Sequence, residues 1–268
     1  MNYKLLIMYA IVTGASSGIG VHYAEQLARD YGYDLLLVSN QPEALQNVAD
    51  DLHKRFGVHT LALPLDLSQL DAAEQVLAFS RDKQLDVEVL VNNAGMLIFS
   101  TLTDTDPKRM EVLLQLHVVT LSKLCRLFGE EMIKRGKGFI INMSSMTAWT
   151  ALPTIPLYNA TKNFVLIFSK SLWYEMMPHG VHVLAVAPGS TNTGLLPFPE
   201  KFGRFLLRIG VTMQPETLVR RALRRLFRTK HKVYLAGAWS YVTVPLLKHL
   251  PDGLIFFVMK KMDFIPNK

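Results

Sequence analysis

Short aliphatic and β-branched runs alternate along this chain with longer stretches whose apolar positions recur every three to four residues. The short runs predict strands at 9–13, 34–39, 60–64, 89–92, 138–143, 181–187 and 232–235. The longer ones predict helices at 19–31, 42–56, 71–80, 108–134, 158–177 and 215–228. Such alternation is expected of repeated strand–helix–strand units. It predicts an α/β fold built on one Rossmann-type, doubly wound parallel sheet of about seven strands with helices on both faces. No repeat, low-complexity tract or Pro/Ser linker marks a boundary. Residues 1–238 therefore read as one domain, and 239–268 as an apolar and basic extension packed on it. The weakest periodicity inside the body lies at 190–213, a connection long enough to be a lid.

Composition narrows this picture. At 268 residues and 50% hydrophobic, the chain is long enough for one large core. Its only cysteine, Cys125, excludes an internal disulfide and reads as a small apolar filler in a protein of a reducing compartment. The apolar N-terminus runs into a glycine-rich turn without a cleavage-site pattern and reads as the first strand. The run 253–259 is too short to span a bilayer, which takes about 20 apolar residues. A cytoplasmic protein is expected, with membrane association left open. The net charge of +7 is concentrated at the end, where residues 201–268 hold 14 Lys and Arg against 3 Asp and Glu. That excess fits a solvated face or a peripheral contact with anionic membrane. Neither a nucleic acid nor a metal is expected as a partner.

The segment TGASSGIG, residues 13–20, follows the first strand and opens a helix. Gly14 permits a tight turn, Gly18 lets backbone approach a pyrophosphate, and Gly20 lets helix and strand pack closely. The helix start adds free N–H groups and the positive end of a dipole, with Ser16, Ser17 and Ile19 around it. At the end of the second strand, Ser39, Asn40 and Gln41 are neutral. An acid there would repel a 2′-phosphate, so its absence, with Ser16, Ser17 and Asn40 as donors, favours NADP(H) without excluding NAD(H). Further along, Tyr158 stands four residues before Lys162, which puts both on one helix face. Ser145, in INMSS, lies at a strand end thirteen residues before Tyr158.

The Gly-x-x-x-Gly-x-Gly spacing and the Ser145, Tyr158 and Lys162 register resemble the short-chain dehydrogenase/reductase family over roughly residues 8–236. The resemblance implies that Ser145 holds the substrate oxygen, Tyr158 transfers the proton and Lys162 activates it. It places Asp66 and Leu67, in PLDL, near adenine, and Asn93, Ala94 and Gly95, in NNAG, along the adenosine side. Pro188, Gly189, Thr191 and Thr193, in VAPGSTNTG, match the family turn past the nicotinamide. Homo-oligomers formed through the long helices are implied as well. An apolar segment at 195–210, with Trp149, Leu152 and Leu157, points to a lipophilic carbonyl or alcohol: a 3-oxoacyl, ketosphingoid or steroid compound.

One position departs from the family pattern. His117 stands where an asparagine usually helps hold a water on the catalytic lysine. Either the histidine joins the proton relay, which would add an inflection near pH 6 to 7, or it turns away and only its backbone serves. His117 also keeps a second class of function open, a nucleotide-binding sensor without turnover. A third is a peripheral membrane protein that uses the basic C-terminal third.

Overall fold

The computed structural model describes residues 8–189 and 213–261. Its elements run β1 (Met8–Thr13), α1 (Gly18–Tyr31), β2 (Asp34–Ser39), α2 (Pro42–Phe56), β3 (Thr60–Pro64), α3 (Ala72–Asp82), β4 (Asp86–Asn92) and α4 (Pro107–Leu114). A π-helical turn (Gln115–Thr120) leads into α5 (Leu121–Arg135), then β5 (Gly138–Met143), a 3₁₀ turn (Met146–Trp149), α6 (Pro156–Met176) and β6 (Val181–Pro188). After the undescribed stretch come α7 (Pro215–Arg228), β7 (Val233–Ala236), α8 (Ser240–Lys248) and α9 (Asp252–Lys261).

The strands form one seven-stranded sheet in the order β3-β2-β1-β4-β5-β6-β7, and every pair is parallel. Strand order reverses between β1 and β4, so a crevice opens at their carboxyl ends, where such folds take their ligands. One face is closed by the apolar stripes of α1, α2 and α7, including Leu27, Leu45, Leu218 and Leu223. The other is closed by α3, α5 and α6, through Val76, Phe128 and Val165. In α7, Leu218, Val219, Ala222, Leu223 and Leu226 are buried, while Arg220, Arg221, Arg224 and Arg228 face solvent.

The run 107–135 is long and apolar enough to cross a membrane, with a mean hydropathy of 1.3. Here it is a core helix, since Leu113, Leu124, Phe128 and Met132 are buried against the sheet side. Expected as one uninterrupted helix, it is broken by the π turn at 115–120, which carries His117. Single π turns inside α-helices are frequent at functional sites.

A polar line threads the interior. The β4–β5 register sets Asn92 opposite Asn142, and the Asn92 amide donates to Asn142 Oδ1 at 2.8 Å. Asn142 donates to Ser169 Oγ at 3.0 Å, and that hydroxyl donates to the Val165 carbonyl in α6 at 2.7 Å. Cys125 is more than the filler expected of it: its thiol, pushed up to about 12 by burial, reaches Asn142 Oδ1 at 3.4 Å. Asn142→Leu should therefore strand a buried Asn92 amide and cost about 2 kcal/mol. A urea unfolding midpoint equal to wild type would contradict this.

Candidate active site

The crevice is bounded on one side by the turn between β1 and α1. Gly14 has φ 64°, and a Cβ on it would lie 2.9 Å from the Ala94 backbone. A Cβ on Gly20 would come within 2.1 Å of the Gly14 carbonyl oxygen, so helix and turn touch backbone to backbone. Gly18, at φ 57°, opens α1. Its N-cap Ser17 makes no side-chain cap bond and its first turn holds no acid. Free N–H groups therefore point out of the helix, an arrangement that fits a pyrophosphate. Ile19 is half-buried, with its side chain packed against the core beneath.

Asn93 ties the end of β4 to the glycine turn. Its amide donates to the carbonyls of Thr13 and Gly14 at 3.0 and 3.2 Å. Thr13 Oγ1 returns the tie by accepting the N–H groups of Asn93 and Ala94 at 2.9 and 3.0 Å. Asn93 and Thr13 thus clamp the end of β4 to the glycine turn. Asp66 is exposed at the end of β3, with Oδ1 accepting the Ser68 N–H and hydroxyl at 2.9 and 2.8 Å. Leu67 is buried, and its carbonyl accepts the Thr120 hydroxyl at 2.8 Å. At the end of β2, Ser39 shares a 2.8 Å hydrogen bond with Ser16, which also donates to Gln41 at 3.3 Å, beside an exposed Asn40.

Opposite this cradle, β5 and α6 bring Ser145, Tyr158 and Lys162 together. Lys162 Nζ lies 5.5 Å from the centre of the Tyr158 ring. Lys162 is buried and donates to the Met143 carbonyl at 2.9 Å; burial pulls its pKa down to about 8. Burial raises that of Tyr158, and the Ser145 hydrogen bond partly offsets the rise. The helix is anchored here by Ser144, whose hydroxyl donates to the Lys162 carbonyl at 2.7 Å.

Thr147 went unremarked in the sequence. Its N–H and hydroxyl both donate to Ser145 Oγ, at 3.2 and 3.1 Å. With its lone pairs so engaged, Ser145 is left to donate its own proton. The signal was present, since a threonine two residues after a serine can close such a turn. Thr154, in the loop before Tyr158, has φ 67°, which a β-branched residue rarely adopts. Its carbonyl accepts the Ser100 N–H at 2.8 Å, joining this loop to the one that follows β4. Pro188 and Gly189 end β6 beside α8, where a Cβ on Gly189 would meet Ser240 Oγ at 2.5 Å. Thr191, Thr193 and the apolar segment 195–210 lie outside the described residues.

His117 follows neither of the two expectations. It faces the site, with its ring edge-on to Tyr158 at 5.9 Å, and a Cβ on Gly95 would meet His117 Nε2 at 2.9 Å and Lys162 Nζ at 3.6 Å. Nε2 accepts the Met96 N–H at 3.1 Å, so the ring proton sits on Nδ1 and is donated to Thr161 Oγ1 at 3.0 Å. Thr161 in turn donates to the Tyr158 carbonyl at 2.9 Å. Burial, and then the charge of Lys162, hold the imidazole well below its ordinary 6.5. His117 is a neutral strut between the NNAG loop and the catalytic helix.

The sequence profile of short chain dehydrogenases matches residues 8–199. The chain belongs to the short-chain dehydrogenase/reductase family. It is 34% identical over 192 residues to the very-long-chain 3-oxoacyl-CoA reductase of Rattus norvegicus, covering 70% of this chain and 60% of that protein. The chain thus spans about 60% of the length of that relative. It is 30% identical over 233 residues to the 7beta-hydroxysteroid dehydrogenase of Clostridium sardiniense, covering 85% of each. Among solved structures, the short-chain dehydrogenase from Sphingobium yanoikuyae in complex with NADPH superposes with a TM-score of 0.74 at 30% identity over 97% of each chain. The glycine cradle fits the NAD(P) nucleotide that this family uses.

A depressed histidine pKa means that the unfolded chain takes up protons first as pH falls through 6.5. Stability of this short-chain dehydrogenase should then fall below pH 6.5 more steeply than in His117→Asn, by up to about 1.4 kcal/mol per pH unit. Catalysis should show no inflection between about pH 6 and 7. Parallel urea midpoints, or a rate inflection in that range that His117→Asn removes, would show that the histidine titrates.

Proposed function

We propose that this chain is an oxidoreductase that interconverts a carbonyl and a secondary alcohol on a lipophilic substrate of 3-oxoacyl, ketosphingoid or steroid type, with NADP(H) preferred. The observation that carries the reading is the buried Ser145 and Lys162 with the half-buried Tyr158 between them and the glycine cradle at the carboxyl ends of the strands. When bound, the nicotinamide supplies or accepts a hydride. Everything else falls to the chain. Ser145, fixed as a donor by Thr147, holds the substrate oxygen and stabilises charge developing there. Tyr158 gives that oxygen its hydroxyl proton in the reductive direction and recovers it in the oxidative one. Lys162 favours the phenolate left behind, and does so only while it is itself protonated.

The apolar character of the substrate is supported by the half-buried Trp149, Leu152 and Leu157 on the catalytic side and the exposed Phe99 and Leu102 on the loop after β4. NADP(H) is favoured by the Ser16, Ser39, Asn40 and Gln41 group, which offers hydrogen bonds and no carboxylate. Pro188, Gly189, Thr191 and Thr193 are proposed to line the nicotinamide end. On this reading residues 1–238 are the catalytic domain and 239–268 its extension. The protein works in the cytoplasm as a homo-oligomer joined through α4–α6, where Val112, Leu114, Phe164 and Ile167 are exposed, and it touches anionic membrane peripherally.

Tyr158→Phe removes the transferable proton and little surface. It should lower kcat by about 100-fold or more and leave the Kd for NADPH within about twofold, measured by NADPH fluorescence and by oxidation with a panel of lipophilic ketones. Retention of most of the activity would refute the assignment. Wild type should bind NADPH more tightly than NADH, and Asn40→Asp should reverse the order by repelling the 2′-phosphate. Tighter binding of NADH by wild type would overturn the cofactor reading.

A further inference from the structure

The last described helices leave an apolar surface uncovered. In α8, Tyr241, Val242 and Leu246 are 60, 60 and 62% exposed; in α9, Leu254, Phe256 and Phe257 are 47, 61 and 62% exposed. Val244 and Ser240, by contrast, seat α8 against the body. A helix that is apolar on its exposed side has its stable place in an apolar medium, not in water.

Charge decides which medium that is. Residues 201–268 hold 14 Lys and Arg against 3 Asp and Glu, and Arg220, Arg221, Arg224 and Arg228 line the solvent face of α7. The helices α7 and α8 both pack on β7, and the guanidinium of Arg225 in α7 lies 4.2 Å over the ring of Tyr234 in that strand. The basic face and the apolar face are therefore neighbours. Two such surfaces from separate copies would bring like charges together, whereas an anionic bilayer attracts the cations and dissolves the apolar side chains. At ten residues α9 is about 15 Å long, half of a bilayer core, so it would lie along the interface.

We propose that the exposed face of α8 and α9 is a docking surface for an anionic phospholipid bilayer, and that it sets the substrate crevice at the membrane edge. The placement follows from the contacts of α8. It packs on the 3₁₀ turn Met146–Trp149, directly after Ser145, and Ser240 abuts Gly189. A lipophilic substrate would then pass from bilayer to crevice without crossing water. The docking deepens the peripheral membrane contact proposed above, and the passage of substrate rests on the oxidoreductase reading.

The test is sedimentation of the full chain with extruded vesicles of phosphatidylcholine, with and without one-third phosphatidylserine, at low and high salt and without substrate. Partition should occur into the phosphatidylserine vesicles and weaken at least about tenfold in high salt and in the double variant Phe256→Ser, Phe257→Ser. NADPH affinity of that variant, measured by fluorescence, should stay at wild type, showing that its fold is kept. Wild type that fails to partition, or a double variant that partitions equally well, overturns the proposal. Light scattering that shows a dimer lost in the double variant, without vesicle binding, gives the face to a second copy instead. Vesicle binding by a protein that fails to oxidise NADPH with every ketone of the panel would leave the docking surface standing and remove the oxidoreductase reading alone.

Discussion

A single charge in the interior organises the site. Lys162 is buried, and its ammonium donates to the Met143 carbonyl. Burying an ammonium is costly, and the cost shows as a pKa drawn down to about 8. Several neighbouring features follow from tolerating that charge. His117 has to be neutral beside it, since a second buried cation would repel it; the histidine meets this requirement by keeping one ring nitrogen as an acceptor for Met96. Gly95 has to lack a side chain, because a Cβ would crowd both His117 and Lys162. The Tyr158 ring lies where a phenolate would feel the ammonium.

Geometry of this accuracy needs rigid supports, and the fold supplies them from both sides of the crevice. Thr13 and Asn93 pin the glycine turn to the end of β4. The line from Asn92 through Asn142 to Ser169 fastens the central strands to α6. His117 and Thr161 then brace the NNAG loop against the same helix. The glycine turn and α6 are thus joined by buried and part-buried hydrogen bonds, and the more buried of these are stronger and costlier to leave unpaired.

Much of this was legible in the sequence because the signals were rules of backbone geometry. The strand runs, the turn at Gly14, Gly18 and Gly20, and the spacing of Ser145, Tyr158 and Lys162 each follow from fixed periods or forbidden side chains, and the structure forms all of them. The roles of Asn93 and Cys125 and the support from Thr147 were not legible, because they depend on which atoms meet across 80, 17 and 2 residues of chain. The state of His117 was hidden for the same reason. Its residue type allows titration near neutrality, and its place in the fold, buried and then beside the charge of Lys162, pulls its pKa down. The exposure of Phe256 and Phe257 likewise contradicts what their hydrophobicity alone would place inside.

The charge on Lys162 is the claim on which the account of the site depends, and it can be measured without substrate. Lysine labelled with carbon-13 at the ε position gives one resonance per side chain, and Lys162→Arg identifies the one that matters. Its titration should have a midpoint near 8, well separated from the ordinary lysines. A midpoint at the ordinary 10.5 would contradict the account, because the ammonium would then carry no cost of burial.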